Sequence, residues 1–488
     1  MQKSDIGIGK DIVIIKRLNA DHGQDTFTKF IPLSKGMVEE IGKSVKYIFD
    51  SLGGASLIKS SGDVYIKPNA IDSRAYTHTR PEVVEAVIRY WFDAGAKKVF
   101  LIENSTQCNI TRLVFELTGY KKICKKTGAI PVYLDEEDTV TLKFPGKKSS
   151  KEGDPLGYDR TEFEISKTVA EKLISDRDKN LYVNLPKLKT HSMGVVTLGI
   201  KNQWGFPRHA HRSADHNYNL HHKLVDVLSH VQPDVTLIEG VEGTIYGHYP
   251  VIAFADKCVK PFKVLIGSLN VVAADIVGAA VFGLSIDDVP HIKLAIERGL
   301  AGGVQKAEDV KLIGDYTDLK KLDIIGDLAD FNGKYPFDLY PKFPSDVTVI
   351  KGKELACREG CVCNPMTLLQ VLAYDLNGKG GWTLIMGKGF DSAMIDDIKG
   401  RVLIAGHCAI DEVSDRLISR LGKRNVYLSG ECNDLRATTE SMCHLMKVNP
   451  IKFAPINLIT AGGILVMAYG NRTHAKLVNP LSHIFKMR

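Results

Sequence analysis

Apolar residues along the chain fall into two alternating patterns. Short, nearly continuous apolar runs bounded by Gly, Pro or Asn are followed by longer runs in which apolar positions recur with helical spacing. "DVYIKPN" (63–69), "KVFLIEN" (98–104), "AIPVYLD" (129–135), "NLYVNLP" (180–186), "VTLIEGV" (235–241) and "FKVLIGS" (262–268) read as strands. "RPEVVEAVIRYWFDAG" (80–95) reads as a helix, with Pro81 in its first turn and Gly95 at its end. "NVVAADIVGAAVFGL" (270–284) is apolar all round and reads as a buried helix. This rhythm predicts an α/β fold: a mostly parallel sheet with helices on both faces. After the aromatic and proline-rich "KYPFDLYPKFPSD" (334–346) a second alternation begins. It predicts a smaller C-terminal α/β domain over 336–488, a main domain over 61–335, and residues 1–60 as an extension packed on the latter. The polar stretch 140–160 reads as an exposed loop or arm.

Composition narrows the partners. The apolar share of 44% and charged share of 25% are those of a globular protein. No window approaches the eighteen or so uninterrupted apolar residues of a membrane span, and "MQKSDIGIGK" places charges where a signal peptide needs an apolar centre. A cytoplasmic location is expected. Nine cysteines, an odd number spread over 488 residues, do not suggest a disulfide scaffold. The 64 basic and 57 acidic residues leave a net charge of +7, too thin an excess to imply nucleic acid. A small anionic molecule is the simpler partner, with neither nucleic acid nor membrane expected.

In parallel sheets ligands collect beyond the carboxyl ends of strands, and the unusual residues fall there. "NLPKLKTHSMGVVTLGIKNQWGFPRHAHR" (184–212) carries five cationic side chains and three histidines among glycines and apolar residues. Lys187 and Lys189 suit neutralisation of an anion. Lys201, preceded by an apolar run, is placed for a lowered pKa and so for base or nucleophile chemistry, with Asn202 beside it. His191 is a candidate proton shuttle or metal ligand. "KPNAIDSRAYTHTRPE" (67–82) joins a strand end to a helix start and offers Lys67, Asn69, His78 and Arg80 to an anion; Thr79 as a plain helix cap is the bland alternative. Glu239 and Glu242 are either acid/base groups or counter-charges to the lysines. Asp275, inside an apolar run, is either a site residue or a cap for a neighbouring backbone group. The histidine-rich 208–222 reads equally well as a basic surface loop. In "CREGCVCNP", Cys357, Cys361 and Cys363 match no ferredoxin run and no paired zinc knuckle. Free thiols are favoured over a metal site there, unless Cys408 or Cys432 is brought close as a fourth ligand.

Four ordered stretches resemble the domain of unknown function 362 family. They are "IKPNAIDSRAYTHTRPEVVEAVI" with "DAGAKKVFLIENS", then "YVNLPKLKTHSMGVVTLGIKNQWG", "TLIEGVEGTIYGHYP", and "VVAADIVGAAVFGLSIDDVPHIKLAIERGL". The resemblance spans about residues 60 to 315. Where many members of that family have a "GNGP" turn this chain has "GTIYGHYP", and it lacks the ferredoxin-like segment that many carry. A fainter similarity runs to the nickel-pincer lactate racemases: "THTRPEVVEAVIRYWFDAGAKKVFLIEN" is similar to their loop, helix and strand, and Lys201 falls near their cofactor-bearing lysine. This similarity implies a metal or a nickel-pincer-type nucleotide as cofactor ahead of an iron–sulfur cluster. The expectation is an enzyme of isomerase or racemase type. Lys187 and Lys189 would hold the anion, His191 or Lys201 would exchange a proton, and Glu242 would serve as the second acid/base group. The alternative is a non-catalytic carrier of a metal or cofactor.

Overall fold

The computed structural model describes residues 9–20, 30, 32–144, 161–322, 344, 346–432, 434–453 and 456–487. An eleven-stranded sheet forms the centre. Ten of its strands are β1 (Ile12–Arg17), β2 (Asp63–Pro68), β3 (Lys98–Glu103), β4 (Ile130–Tyr133), β5 (Leu181–Leu185), β6 (Lys187–His191), β7 (Val195–Thr197), β8 (Val235–Thr244), β9 (Val264–Ser268) and β10 (Lys311–Gly314). The spine runs β10-β1-β9-β8-β5-β2-β3-β4, parallel from β8 through β4, with β9 antiparallel to both β1 and β8. The expected N-terminal extension thus contributes a strand, β1, bonded on both sides inside the sheet.

The helices that bear on the site and its supports are α1 (Lys35–Ser51), α2 (Pro81–Asp93), α3 (Thr111–Leu117), α4 (Gly199–Asn202), α5 (His209–Asp215), α6 (Leu220–His230), α7 (Val271–Ala280), α8 (Cys363–Gln370), α9 (His407–Leu421), α10 (Leu435–Met446) and α11 (Leu458–Gly470); Tyr120–Thr127 and Pro290–Glu297 are among the others. Strand alternation explains the layering, because successive side chains point to opposite faces. Val64 and Ile66 of β2 join a core with α1 and α2, in which Phe49 and Trp91 pack at 5.0 Å. Tyr65, between them, joins the core on the other face with α7. Each such buried apolar side chain contributes about 1.5–3 kcal/mol, so a sheet covered on both faces can enclose a charged site at its edge.

A second, all-parallel sheet follows in sequence order: β11 (Val347–Lys351), β12 (Trp382–Met386), β13 (Arg401–Ala405) and β14 (Val426–Leu428). One face of it shares the α7 core of the large sheet, and the other is covered by α9. Helix α11 reaches back to pack on α3. Within the expected arm, Thr139–Lys143 is a strand paired antiparallel with Glu162–Ser166, and 145–160 lie outside the described residues. So does most of the boundary segment 334–346. No helix among the described residues is long and apolar enough to cross a membrane.

Candidate functional site

A cavity of about 690 Å³ opens at the carboxyl ends of β2, β3 and β6, closed from the other side by α3, α8, α10 and α11. Its polar end is built by Lys67, Asn69, Glu103, Lys189, His191, Lys201, Asn202, Arg212, His216 and His248; Leu113, Leu117, Leu368, Val371 and Leu465 are among the side chains of its apolar end. The cavity therefore suits a molecule with a charged head and an apolar body.

Lys67 is fixed by Glu103, at 2.9 Å, and Glu103 in turn accepts the backbone N–H of Ala70 and Asn104. Asn202 accepts from Asn69 at 3.0 Å and donates to Asn184 at 2.8 Å. Lys189 donates to the Thr77 carbonyl and has no carboxylate partner among the described residues. Burial, with Lys201 and Lys187 nearby, holds its pKa well below the ordinary lysine value.

Lys201 has neither an ion-pair nor a hydrogen-bond partner among the described residues, although only 7% of it is exposed. Burial, and secondarily the Arg212 guanidinium, lowers its pKa from 10.5 to about 7. Gly194 makes this placement possible: a Cβ there would stand 2.7 Å from Lys201 Cδ. Asp275 accepts the backbone N–H of Gly199 and Ile200 at 2.6 and 2.8 Å, and so fixes the turn that carries Lys201. Burial raises Asp275 to about 7.

Three imidazoles complete the polar end. His191 and His248 stack with centroids 3.8 Å apart and planes within 3°, and His216 lies 6.3 Å from His191. His191 Nδ1 accepts two backbone N–H groups, from Met193 and Gly194, so its neutral ring carries the proton on Nε2. His216 Nδ1 donates to the Glu359 carbonyl, leaving Nε2 as the acceptor. Burial, the first cause for each, drives all three pKa values down, His216 to about 3. The rings are neutral at physiological pH.

The remaining expected residues lie elsewhere. Lys187 pairs with Glu239 at 2.8 Å and Glu242 at 3.3 Å, and Glu242 also pairs with Arg80. All four are fully buried and none lines the cavity. Glu242, expected as the second acid/base group, therefore lies apart from the cavity that Lys201 lines, its carboxylate held by two cations. The bulk of His78 is also off the cavity; its Nδ1 faces the Arg74 carbonyl at 3.0 Å, and burial lowers its pKa to about 3. Asp275 serves the backbone and not the cavity. The stretch 208–222 is not a basic surface loop: His209, Arg212, His216 and His221 are buried, and Arg212 donates to the carbonyls of Asn104 and Ser105. Arg212, His216 and His248 were absent from the expected site set. The signal available was the crowding of eight of the fifteen histidines between His191 and His248.

Among the described residues no three His, Cys, Asp or Glu side chains are placed to hold a single metal ion. Cys363 turns away from Cys357 and Cys361, its Sγ donating to the Ser192 carbonyl. Cys357, Cys361 and Cys363 are therefore not one ligand set.

Comparison with known proteins agrees with the motifs. The thylakoid-associated protein sll1697 of Synechocystis is 27% identical over 226 residues, 44% of this chain, and the match spans 63% of that protein's length. A crystal structure of a Thermotoga maritima protein aligns over 88% of this chain and 94% of its own, at 12% identity and a TM-score of 0.35. A likeness to the nickel-pincer lactate racemases is not shown. The family model for the domain of unknown function DUF362 matches residues 64–280. The matched segment supplies every lysine and imidazole of the polar end.

Proposed function

We propose that the protein is an enzyme that binds a small anionic molecule with an apolar portion and moves a proton on it through Lys201. The observation that carries this reading is the state of Lys201. It is an enclosed lysine without a counter-ion, poised near pH 7, at the wall of a cavity. A structural lysine would be paired, as Lys187 is, whereas an acid/base group gains from a pKa near the working pH. Lys189 and Arg212 would meet the anionic head. The neutral rings of His191 and His216 offer a donor and an acceptor respectively, which suits relay of the proton to and from Lys201. Isomerisation is the reaction class this set supports, since it needs one group to take a proton and another to return it.

The test uses the anion extracted with the purified protein and identified by mass spectrometry. Returned to the protein in D2O, it should gain deuterium at carbon, and Lys201→Met should abolish the exchange. Extraction of no anion, or exchange undiminished in the variant, would overturn the proposal.

A further inference from the structure

Four cysteines from distant parts of the chain meet at a void behind the main cavity. Cys357 follows β11, Cys408 begins the helix after β13, and Cys432 follows β14. All three therefore lie at the carboxyl edge of the second sheet, where ligands gather in parallel sheets. Cys361 completes the set, and all four line the same void together with Asn217 and Tyr218. Charge on any one of the four sulfurs would be felt at the other three, so none is remote from the others. All four are free thiols.

Burial raises the pKa of all four thiols, and the groups that act against it are local. The backbone N–H of Tyr218 is directed at the Cys357 sulfur, and that of His407 at Cys432. Cys408 sits in the first turn of α9, at the positive end of a 15-residue helix. Lys388 adds a positive charge near it. Gly406, at φ 87°, passes close over Cys361; a Cβ there would stand 3.1 Å from the Cys361 Cβ.

Spacing then selects the occupant. With Zn–S bonds of about 2.3 Å, a tetrahedral zinc site draws its sulfurs to about 3.8 Å from one another. No such group exists among the described residues. An iron–sulfur cube separates its four thiolates, since each binds a different iron. We propose that Cys357, Cys361, Cys408 and Cys432 hold a [4Fe–4S] cluster. The 216–218 segment borders both spaces: His216 lines the main cavity, and its neighbours Asn217 and Tyr218 line the void. The site is independent of the proton chemistry assigned to Lys201.

The assignment is tested by anaerobic reconstitution. Equal ferrous and ferric iron with sulfide assembles the 2+ cube without net electron transfer. Four Fe–S(Cys) bonds form and the four thiol protons pass to solvent. After desalting, the parent should retain about four irons and four acid-labile sulfides per chain, with the Mössbauer signature of a cube. Cys408→Ser and Cys432→Ser should each lose at least half of that iron while keeping the parent's circular dichroism; Cys363→Ser should retain all of it. Zinc bound in place of iron, two irons per chain, no retained iron in the parent, or full retention in Cys432→Ser would each overturn the assignment.

Discussion

Two clusters of buried cations, one beside the other, have opposite characters. Lys187 and Arg80 are matched by Glu239 and Glu242 in a buried network that does not line the cavity. Lys189 and Lys201 have no carboxylate partner among the described residues, and neutral imidazoles surround them. The division begins on one strand. Lys187 lies opposite Glu239 on β8, but the register slips before the next pair, and Lys189 lies opposite Thr244. The loop of chain that accommodates the slip turns Glu242 toward Lys187 and leaves Lys189 facing the open side. A buried charge is tolerable when paired and otherwise shifts its pKa. The first cluster is paired, whereas Lys189 and Lys201 of the second carry lowered pKa values, and on the proposed reading that contrast separates a structural device from a reactive one.

Lys187→Met gives the largest effect expected. It strands two buried carboxylates with only Arg80 between them, and breaking such a network costs about 3–5 kcal/mol. Denaturant unfolding should show that loss. A loss below about 1 kcal/mol would mean the two clusters are not different in kind.

Lys201→Met should act in the reverse sense. The folded pKa of about 7 lies below the unfolded value of 10.5. Between those values the unfolded chain binds a proton that the folded chain does not, so this lysine makes stability rise with pH across the window, reaching its full value above it. The variant should lack that rise and be at least as stable as the parent at pH 7. A pH profile of unfolding unchanged by the substitution would show that Lys201 is not buried without a counter-ion.

The smallest effect on stability belongs to His248→Phe. An aromatic ring retains the stacking on His191, so stability should change by no more than about 1 kcal/mol. Binding of the anion that the proposed function requires should nevertheless weaken, because the polar end loses a hydrogen-bonding ring. Titration calorimetry showing parental affinity would remove His248 from the site.

Much of this was legible in the sequence, where it rested on local patterns. The strands at 63–68, 98–103, 181–185 and 264–268 and the helix Pro81–Asp93 follow from apolar runs and their end signals. Lys67, Asn69, Lys189, His191, Lys201 and Asn202 were identifiable as strand-end residues, and the structure does gather them around one cavity. Glu239, Glu242, Lys187 and Arg80 carried the same signal and are absent from it. A carboxylate beside lysines reads alike in sequence whether it neutralises them or shares a substrate with them.

The chain's order of apolar and polar residues determined by itself the α/β class, the parallel sheet and the edge at which chemistry would collect, because strand and helix periods are properties of a few consecutive residues. Only the tertiary structure decided which cations would be neutralised, through a register slip between β6 and β8. It alone brought Arg212, His216 and His248 into the wall of the cavity, and set Cys408 and Cys432, in place of Cys363, beside Cys357 and Cys361. Charge pairing and ligand sets depend on distances between residues far apart in the chain, and no local period encodes those distances.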